Sequence, residues 1–393
     1  MRVLLVTMSD QINFLLSNVL KPDLDYSAMV VDSPEVTKKF FEDAGVNFEN
    51  IFPFYELEEC LDNLYYDFVL CVSNSGTVWN IHERFRDYGL PQNKFLHFCL
   101  ALNSANNDFL VKRSLKYYQE HFEEFDMFAT GISYTAVALD ATKFEGRKLF
   151  NFGRSSQDLY YDYKIAKFVL SETEGKEKIK YALIGLAPES FHYDLSKSYA
   201  TAGRLLQYFI AFDDLHNFWL PQEEYRKIFR ENFLNFEIDE KIPFDENNTT
   251  FERGVAVGIN LYDKVNAKKS IYSGRAKNYP ETREENIKIL DDYLTLCEKS
   301  NVRPIMFLPP MHKIAIECTD KKRLNEFYYL VNEAVKKHSG AKFLDGWKMP
   351  GFTDDDFYNP PHLNLQGSAK FSEIFDKAIR HWEEKEKLNG GAK

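Results

Sequence analysis

The chain has 393 residues, long enough for two domains, and 34 Phe and 23 Tyr supply an ample apolar core. Its formal charge is −11 with acids and bases interspersed, which disfavours nucleic acid or an anionic membrane as the main partner, since both select a basic surface. No stretch approaches the roughly 18–20 apolar residues of a membrane helix, and the run Met1–Thr7 is too short for a signal peptide, so no membrane span is expected.

Residues 1 to about 105 read as alternating short strands and helices. The apolar run Arg2–Thr7 is followed by a helical pattern over Gln11–Leu20; Tyr26–Val31 is a second strand, and Ser33 caps a helix through Phe41. Ile51–Phe54, the helical Glu56–Leu64, the strand Asp67–Val72, the helical His82–Tyr88 and the strand Lys94–Phe98 complete the set. This rhythm predicts a doubly wound, Rossmann-like parallel sheet. The first strand-to-helix turn, Thr7-Met8-Ser9-Asp10-Gln11, has no glycine, whereas a dinucleotide site needs small residues there so that backbone can approach the pyrophosphate. NAD or FAD is therefore disfavoured, and no cofactor is expected. The loop Ser73-Asn74-Ser75-Gly76-Thr77 reads two ways, as a phosphate or sugar cradle at a helix N-terminus or as a capped loop without a ligand.

A linking helix over Asn107–Phe125 precedes a second α/β unit, residues 106–393. Its expected strands are Met127–Thr130, Leu149–Phe152, Lys180–Leu186, Arg303–Leu308 and Lys342–Leu344. The expected helices between and after them are Leu159–Leu170, Glu284–Ser300, Lys321–Lys337 and Ser368–Lys387. Residues 196–285 break the rhythm, first aromatic and helical (Leu205–Phe218, Gln222–Phe233), then turn-rich (Pro243–Thr250, Ser273–Pro280). They read as a helical insertion that caps the catalytic face. The five cysteines (Cys60, Cys71, Cys99, Cys297, Cys318) are odd in number and lack CxxC spacing, so they read as reduced thiols in a cytoplasmic protein. No His, Cys or acidic pair has metal-ligand spacing, and no metal is expected.

Two segments suggest chemistry. His362 sits in a loop between the apolar Phe343-Leu344 and the final helix, with acids and amides just upstream (Asp354 to Asn359), so a side-chain oxygen can reach one ring nitrogen. Such a histidine serves as a general base when a nucleophile faces its other nitrogen. Its alternative is a histidine that only bonds loop backbone. Ser133 follows a strand-like run and a glycine in Thr130-Gly131-Ile132-Ser133-Tyr134. It reads either as a nucleophile at a helix start or as that helix's plain N-cap.

The order of motifs over about 125–385 resembles the SGNH-hydrolase superfamily of GDSL-like esterases and acyltransferases. It looks closer to a divergent branch associated with bacterial surface carbohydrates, whose members serve teichoic-acid D-alanylation and alginate acetylation. The matching residues are Thr130-Gly131-Ile132-Ser133-Tyr134, Asn151-Phe152-Gly153, Ile184-Gly185-Leu186 and Asn359-Pro360-Pro361-His362-Leu363-Asn364-Leu365-Gln366-Gly367, the last against a family pattern D-x-x-H-L-N-x-x-G. Three positions depart from it. Ile132 stands where the family has Asp before the nucleophile; Ala187-Pro188-Glu189-Ser190 replaces the block with the oxyanion-hole Asn; and Asn359 takes the place of the triad Asp.

The resemblance implies a flavodoxin-like α/β/α domain and a serine esterase or O-acyltransferase acting on an acylated carbohydrate or a nucleotide sugar. Ser133 would be the nucleophile, His362 the base and Asn359 its orienting partner, with Asp356 a substitute if the loop doubles back. Gly153 would add an oxyanion donor or simply be a turn glycine. His192 would line the cleft or be structural, and His312 would also end at the carboxyl edge of the sheet. Asn364 would fix the loop and the next helix cap. The competing reading is a catalytically impaired SGNH-like binding protein of the same pathway; a weaker one is a nucleotide-sugar enzyme centred on the N-terminal sheet. A homo-oligomer is left open.

Overall fold

The computed structural model describes residues 2–9, 12, 25–45, 50–73, 84–85, 87–99, 110–172, 176–198, 201–232 and 279–390. The chain is α/β and divides into two compact units, Met1–Lys112 with Leu195–Pro243, and Arg113–Asp194 with Phe244–Lys393.

In the first unit β1 (Arg2–Thr7), β2 (Asp25–Val31), β3 (Ile51–Pro53), β4 (Phe68–Ser73) and β5 (Phe95–Cys99) form a parallel sheet ordered β3-β2-β1-β4-β5. Consecutive residues Val3, Leu4, Leu5 and Val6 are all buried, so both faces of the central strand are covered, as a parallel sheet requires. On one face Leu4, Val6 and Val69 pack with Leu57, Cys60 and Leu61 of the helix Leu57–Asn63. Ser9 N–H donates to Asp32 Oδ1 at 2.7 Å, which ties the first strand-to-helix turn to the end of β2. The aromatic helix Leu205–Phe212 and the helix Gln222–Asn232 also belong to this unit. Trp219 Nε1 donates to Phe95 O at 3.0 Å, and a side chain on Gly203 would overlap the His97 ring. The expected helix Gln11–Leu20 apart from Ile12, part of His82–Tyr88, the loop after Ser73 through Thr77, and the turn-rich Pro243–Thr250 and 273–278 lie outside the described residues.

The second unit holds a parallel sheet of β6 (Met127–Gly131), β7 (Leu149–Asn151), β8 (Tyr181–Gly185), β9 (Arg303–Leu308) and β10 (Lys342–Asp345), ordered β10-β9-β8-β6-β7. Counted from its own first strand this is 2-1-3-4-5, with the reversal between β6 and β8. In such sheets the crevice outside the carboxyl ends at the reversal is where ligands bind.

Residues alternate between the two faces with the strand period of two. Met127, Ala129, Leu183, Ile305 and Phe307 meet Phe371, Phe375 and Ile379 of the final helix Leu365–Gly390. On the other face Thr130 Oγ1 meets Tyr293 OH, from the helix Arg283–Lys299, at 3.0 Å. The stretch read from sequence as a loop before the final helix contains a hairpin, β11 (Phe357–Asn359) with β12 (His362–Leu363), closed by Pro360-Pro361. The final helix begins at Leu365, three residues before its expected start. Asn364 explains this: its Oδ1 accepts the Gly367 N–H at 3.0 Å, an N-cap bond at the third helical position.

Candidate functional site

Gly131 and Gly185 end β6 and β8 side by side in register. A Cβ on either glycine would overlap Thr135, so the pair lets the short helix Ser133–Ala138 settle onto the strand ends. Gly131 also holds φ +141, which side-chain-bearing residues rarely adopt. The chain then turns through Ile132, the N-cap residue, which offers no side-chain cap. Ser133 is therefore the first helical residue and not the cap, and its hydroxyl is directed elsewhere.

It meets His362. Ser133 Oγ lies 2.8 Å from Nε2, and Nδ1 of the same ring lies 2.7 Å from Asn359 Oδ1. The hairpin makes this possible: Asn359 and His362 are cross-strand partners, and directly opposed residues bring their side chains within reach. An amide oxygen only accepts, so Nδ1 carries the proton and Nε2 presents its lone pair to the serine hydroxyl. This is the tautomer a general base needs. Ser133 is 8 % exposed.

The hairpin is anchored at several points. Asp356 is fully buried; its Oδ2 accepts the Thr353 N–H at 2.8 Å and pairs with Lys370 Nζ at 3.0 Å, while Oδ1 faces Gln366 Nε2 at 3.4 Å. Asp356 thus serves the turn and the final helix, and the ring nitrogen of His362 is met by Asn359. Gly367 carries no Cβ because one would overlap Asp356 O. From the other side, His312 N–H donates to Pro360 O at 3.1 Å, and its ring packs edge-on against Phe357. His312 Nδ1 accepts the Ile314 N–H at 3.2 Å, so the proton resides on Nε2 and is given to Asp354 Oδ1 at 2.9 Å. That hydrogen bond, helped by Lys313 Nζ at 3.2 Å and opposed by burial, lowers the Asp354 carboxyl to about 2.

The other expected site residues lie as follows. Gly153 packs on the helix Ser133–Ala138, since its Cβ would come within 2.9 Å of Ala136 N. Its N–H donates to Asn151 Oδ1 at 2.9 Å, and Asn151 Nδ2 donates in turn to Ala136 O at 3.1 Å. The Gly153 donor is thus held by a side-chain carbonyl. His192 is buried and bonds Glu326 Oε2 through Nε2 at 3.0 Å; Glu326 also pairs with Arg283 Nε at 2.5 Å. It joins a peripheral ion-pair cluster and not the Ser133–His362 pair.

Three contributions escaped sequence reading. Tyr134 sets its ring 5.2 Å from that of His362, tilted by 58°, and donates its hydroxyl to Glu189 Oε1 at 3.2 Å, across the strand reversal. Burial first, and the Glu189 charge second, push the Tyr134 phenol well above its ordinary value, so it remains a donor. Beneath the turn, Asp162 is buried and accepts from Gln157 Nε2 at 2.6 Å, and burial raises its carboxyl well above the usual range. Asn151 is the third. Its place in Asn151-Phe152-Gly153 carried a signal; the Tyr134–Glu189 contact, 55 residues apart in the chain, carried none.

A separate cavity of about 340 Å³ lies at the amino ends of the strands, lined by Asp126, Glu145, Arg147, Lys180 and Glu383 among others. Its charges satisfy one another, Arg147 with Asp376 at 2.9 Å and Arg380 with Glu145 at 2.6 Å, so it reads as a solvated ion-pair cluster. Among the described residues no helix is long and apolar enough to cross a membrane. No protein-family model and no curated protein matches this sequence.

Proposed function

We propose that the second unit is an SGNH-type serine esterase or O-acyltransferase acting on an acylated carbohydrate or activated sugar, with the first unit a Rossmann-like domain. One observation carries the reading: the continuous chain Asn359 Oδ1, His362 Nδ1, His362 Nε2, Ser133 Oγ, with both links under 3 Å. A serine held to the unprotonated nitrogen of an oriented imidazole is the arrangement that activates a hydroxyl. The strand order 2-1-3-4-5 and the position of Ser133 at its reversal support the fold assignment. The carbohydrate substrate rests on the motif resemblance alone.

In this mechanism Ser133 Oγ attacks the ester carbonyl carbon while its proton passes to His362 Nε2. The carbonyl oxygen becomes an oxyanion, stabilised by backbone N–H groups at the helix start. As the C–O bond to the alcohol breaks, the proton on Nε2 moves to the departing oxygen. Water or a sugar hydroxyl then gives a proton to Nε2 and attacks the acyl-enzyme, and Ser133 leaves by taking that proton back. Hydrolysis and transfer differ only in this acceptor.

The test is turnover of an aryl acetate and labelling by a fluorophosphonate probe, wild type against Ser133→Ala. Labelling and turnover in the wild type alone support the assignment; their absence from the wild type rejects it. Two observations favour a second reading, a catalytically impaired binding protein: Asn359 supplies no charge to an imidazolium, and the Gly153 N–H is engaged by Asn151. An inert wild type that binds acetylated sugars would select it.

A further inference from the structure

Glu189 is a carboxylate beside the site that no cation balances among the described residues. It lies in the loop after β8, where the sheet order reverses, and is only partly exposed. One oxygen accepts the Tyr134 hydroxyl at 3.2 Å, and among the described residues no Lys, Arg or His pairs with it. Several other acids on buried or partly buried side chains of this unit meet a cation, Asp376 and Glu383 with Arg147, Glu326 with Arg283, Asp356 with Lys370, whereas the buried Asp162 has its carboxyl raised toward the neutral form. A partly shielded carboxylate that no side chain neutralises is complementary to a positively charged ligand. Tyr134 joins the two features. Its chain neighbour is Ser133, its ring lies 5.2 Å from that of His362, and its hydroxyl ends at Glu189. An aromatic face beside a carboxylate is complementary to an organic cation, which gains from the ring quadrupole and from the charge together.

We infer that Glu189 and the face of Tyr134 form a cation subsite, and that the ester received by Ser133 carries an ammonium group. This rests on the reading of Ser133 and His362 as an acyl-transfer pair and adds the charge of the substrate to it. The recognition is by shape and charge and involves no bond change. The overall charge of −11 favours the approach of such a substrate.

The experiment compares acetylcholine with its uncharged carbon isostere, in which a tert-butyl group replaces trimethylammonium. The wild type is expected to favour acetylcholine in kcat/KM, and Glu189→Gln to lower that preference about tenfold, chiefly through KM. Glu189→Asp, which keeps the charge, is expected to retain part of it. A second measurement is independent of turnover: tetramethylammonium binding to the full chain, followed by calorimetry, should weaken about tenfold in Glu189→Gln. Three results overturn the inference: a wild type that prefers the uncharged ester, a Glu189→Gln loss equal for both esters, or tetramethylammonium binding that is absent or indifferent to Glu189. If neither ester turns over, the acyl-transfer reading fails, and the tetramethylammonium measurement still decides the subsite.

Discussion

Asn359 lies directly across a two-residue-wide hairpin from His362, and its Oδ1 meets the ring Nδ1 at 2.7 Å. The relationship is built into the backbone. Pro360 and Pro361 turn the chain, Asp356 and Lys370 hold one arm, and the His312 N–H holds the Pro360 carbonyl. An amide in this position fixes the tautomer of the imidazole but adds no negative charge, so orientation and charge stabilisation, which one carboxylate usually combines, are separated here.

Ser133→Ala should remove fluorophosphonate labelling and lower aryl-ester kcat by about 10³ or more, the scale on which nucleophile loss acts in serine hydrolases. Its effect on stability should stay within about 1.5 kcal/mol, the value of one hydrogen bond. Active-site labelling and a urea melt of the same preparation separate the two. A variant as active as the wild type would place the nucleophile elsewhere.

Gly185→Ala should destabilise the second unit by about 1–3 kcal/mol or more, as overpacking does. The added Cβ would overlap Thr135, whose helix begins at Ser133, so activity should fall together with the denaturation midpoint. A double-mutant cycle with Thr135→Gly is expected to show favourable coupling, because the second change removes the atoms the methyl strikes. Purely additive losses would refute the steric account.

Asp354 gives the site a pH dependence of known sign. Its carboxyl lies at about 2 in the folded chain against an ordinary value of 3.8, so it contributes stability above about 4 that is lost as pH falls toward 2. Asp354→Asn removes that contribution. The melting temperatures of wild type and Asp354→Asn should differ by a constant amount above pH 5 and converge as the pH approaches 2. A difference that persists at pH 2 would show that Asp354 acts through something other than its charge.

The central strands were legible because a parallel strand covered on both faces reads as an unbroken apolar run, as Val3–Val6 and Ile305–Leu308 do. Ser133, His362 and Asn359 could be singled out as reactive types at the right places, but their meeting depends on a hairpin whose strands span three residues and two. Segments that short have no periodicity to read. The early start of the final helix follows from the cap read for Asn364 in the sequence, whose Oδ1 accepts the Gly367 N–H, so the helix runs from Leu365 and not from Ser368. His192 reads from its place after β8 as cleft-lining or structural, and the choice between the two is set by Glu326, 134 residues away, which orients its ring. The aromatic helices after Leu195 were read as an insertion over the catalytic face; they cluster with the first unit through contacts such as Trp219 to Phe95, which no local pattern encodes.

The decisive substitution is Asn359→Asp, set against Asp356→Ala. A carboxylate at 359 would occupy the same cross-strand position, accept the same Nδ1 proton and add a charge to stabilise the imidazolium formed when Ser133 loses its proton. kcat should therefore rise at least about tenfold; the loss of about 10⁴ seen in serine proteases for the reverse change sets the upper scale. Asp356→Ala should act differently. Its carboxylate bonds Thr353, Lys370 and Gln366, so its removal should destabilise the hairpin by about 2 kcal/mol or more and lower activity in proportion to the folded fraction. Esterase assays and thermal melts on both variants distinguish the roles. If Asp356→Ala left the fold intact but abolished turnover, while Asn359→Asp changed nothing, Asp356 would be the acid that serves His362 during the reaction and Asn359 only its resting neighbour.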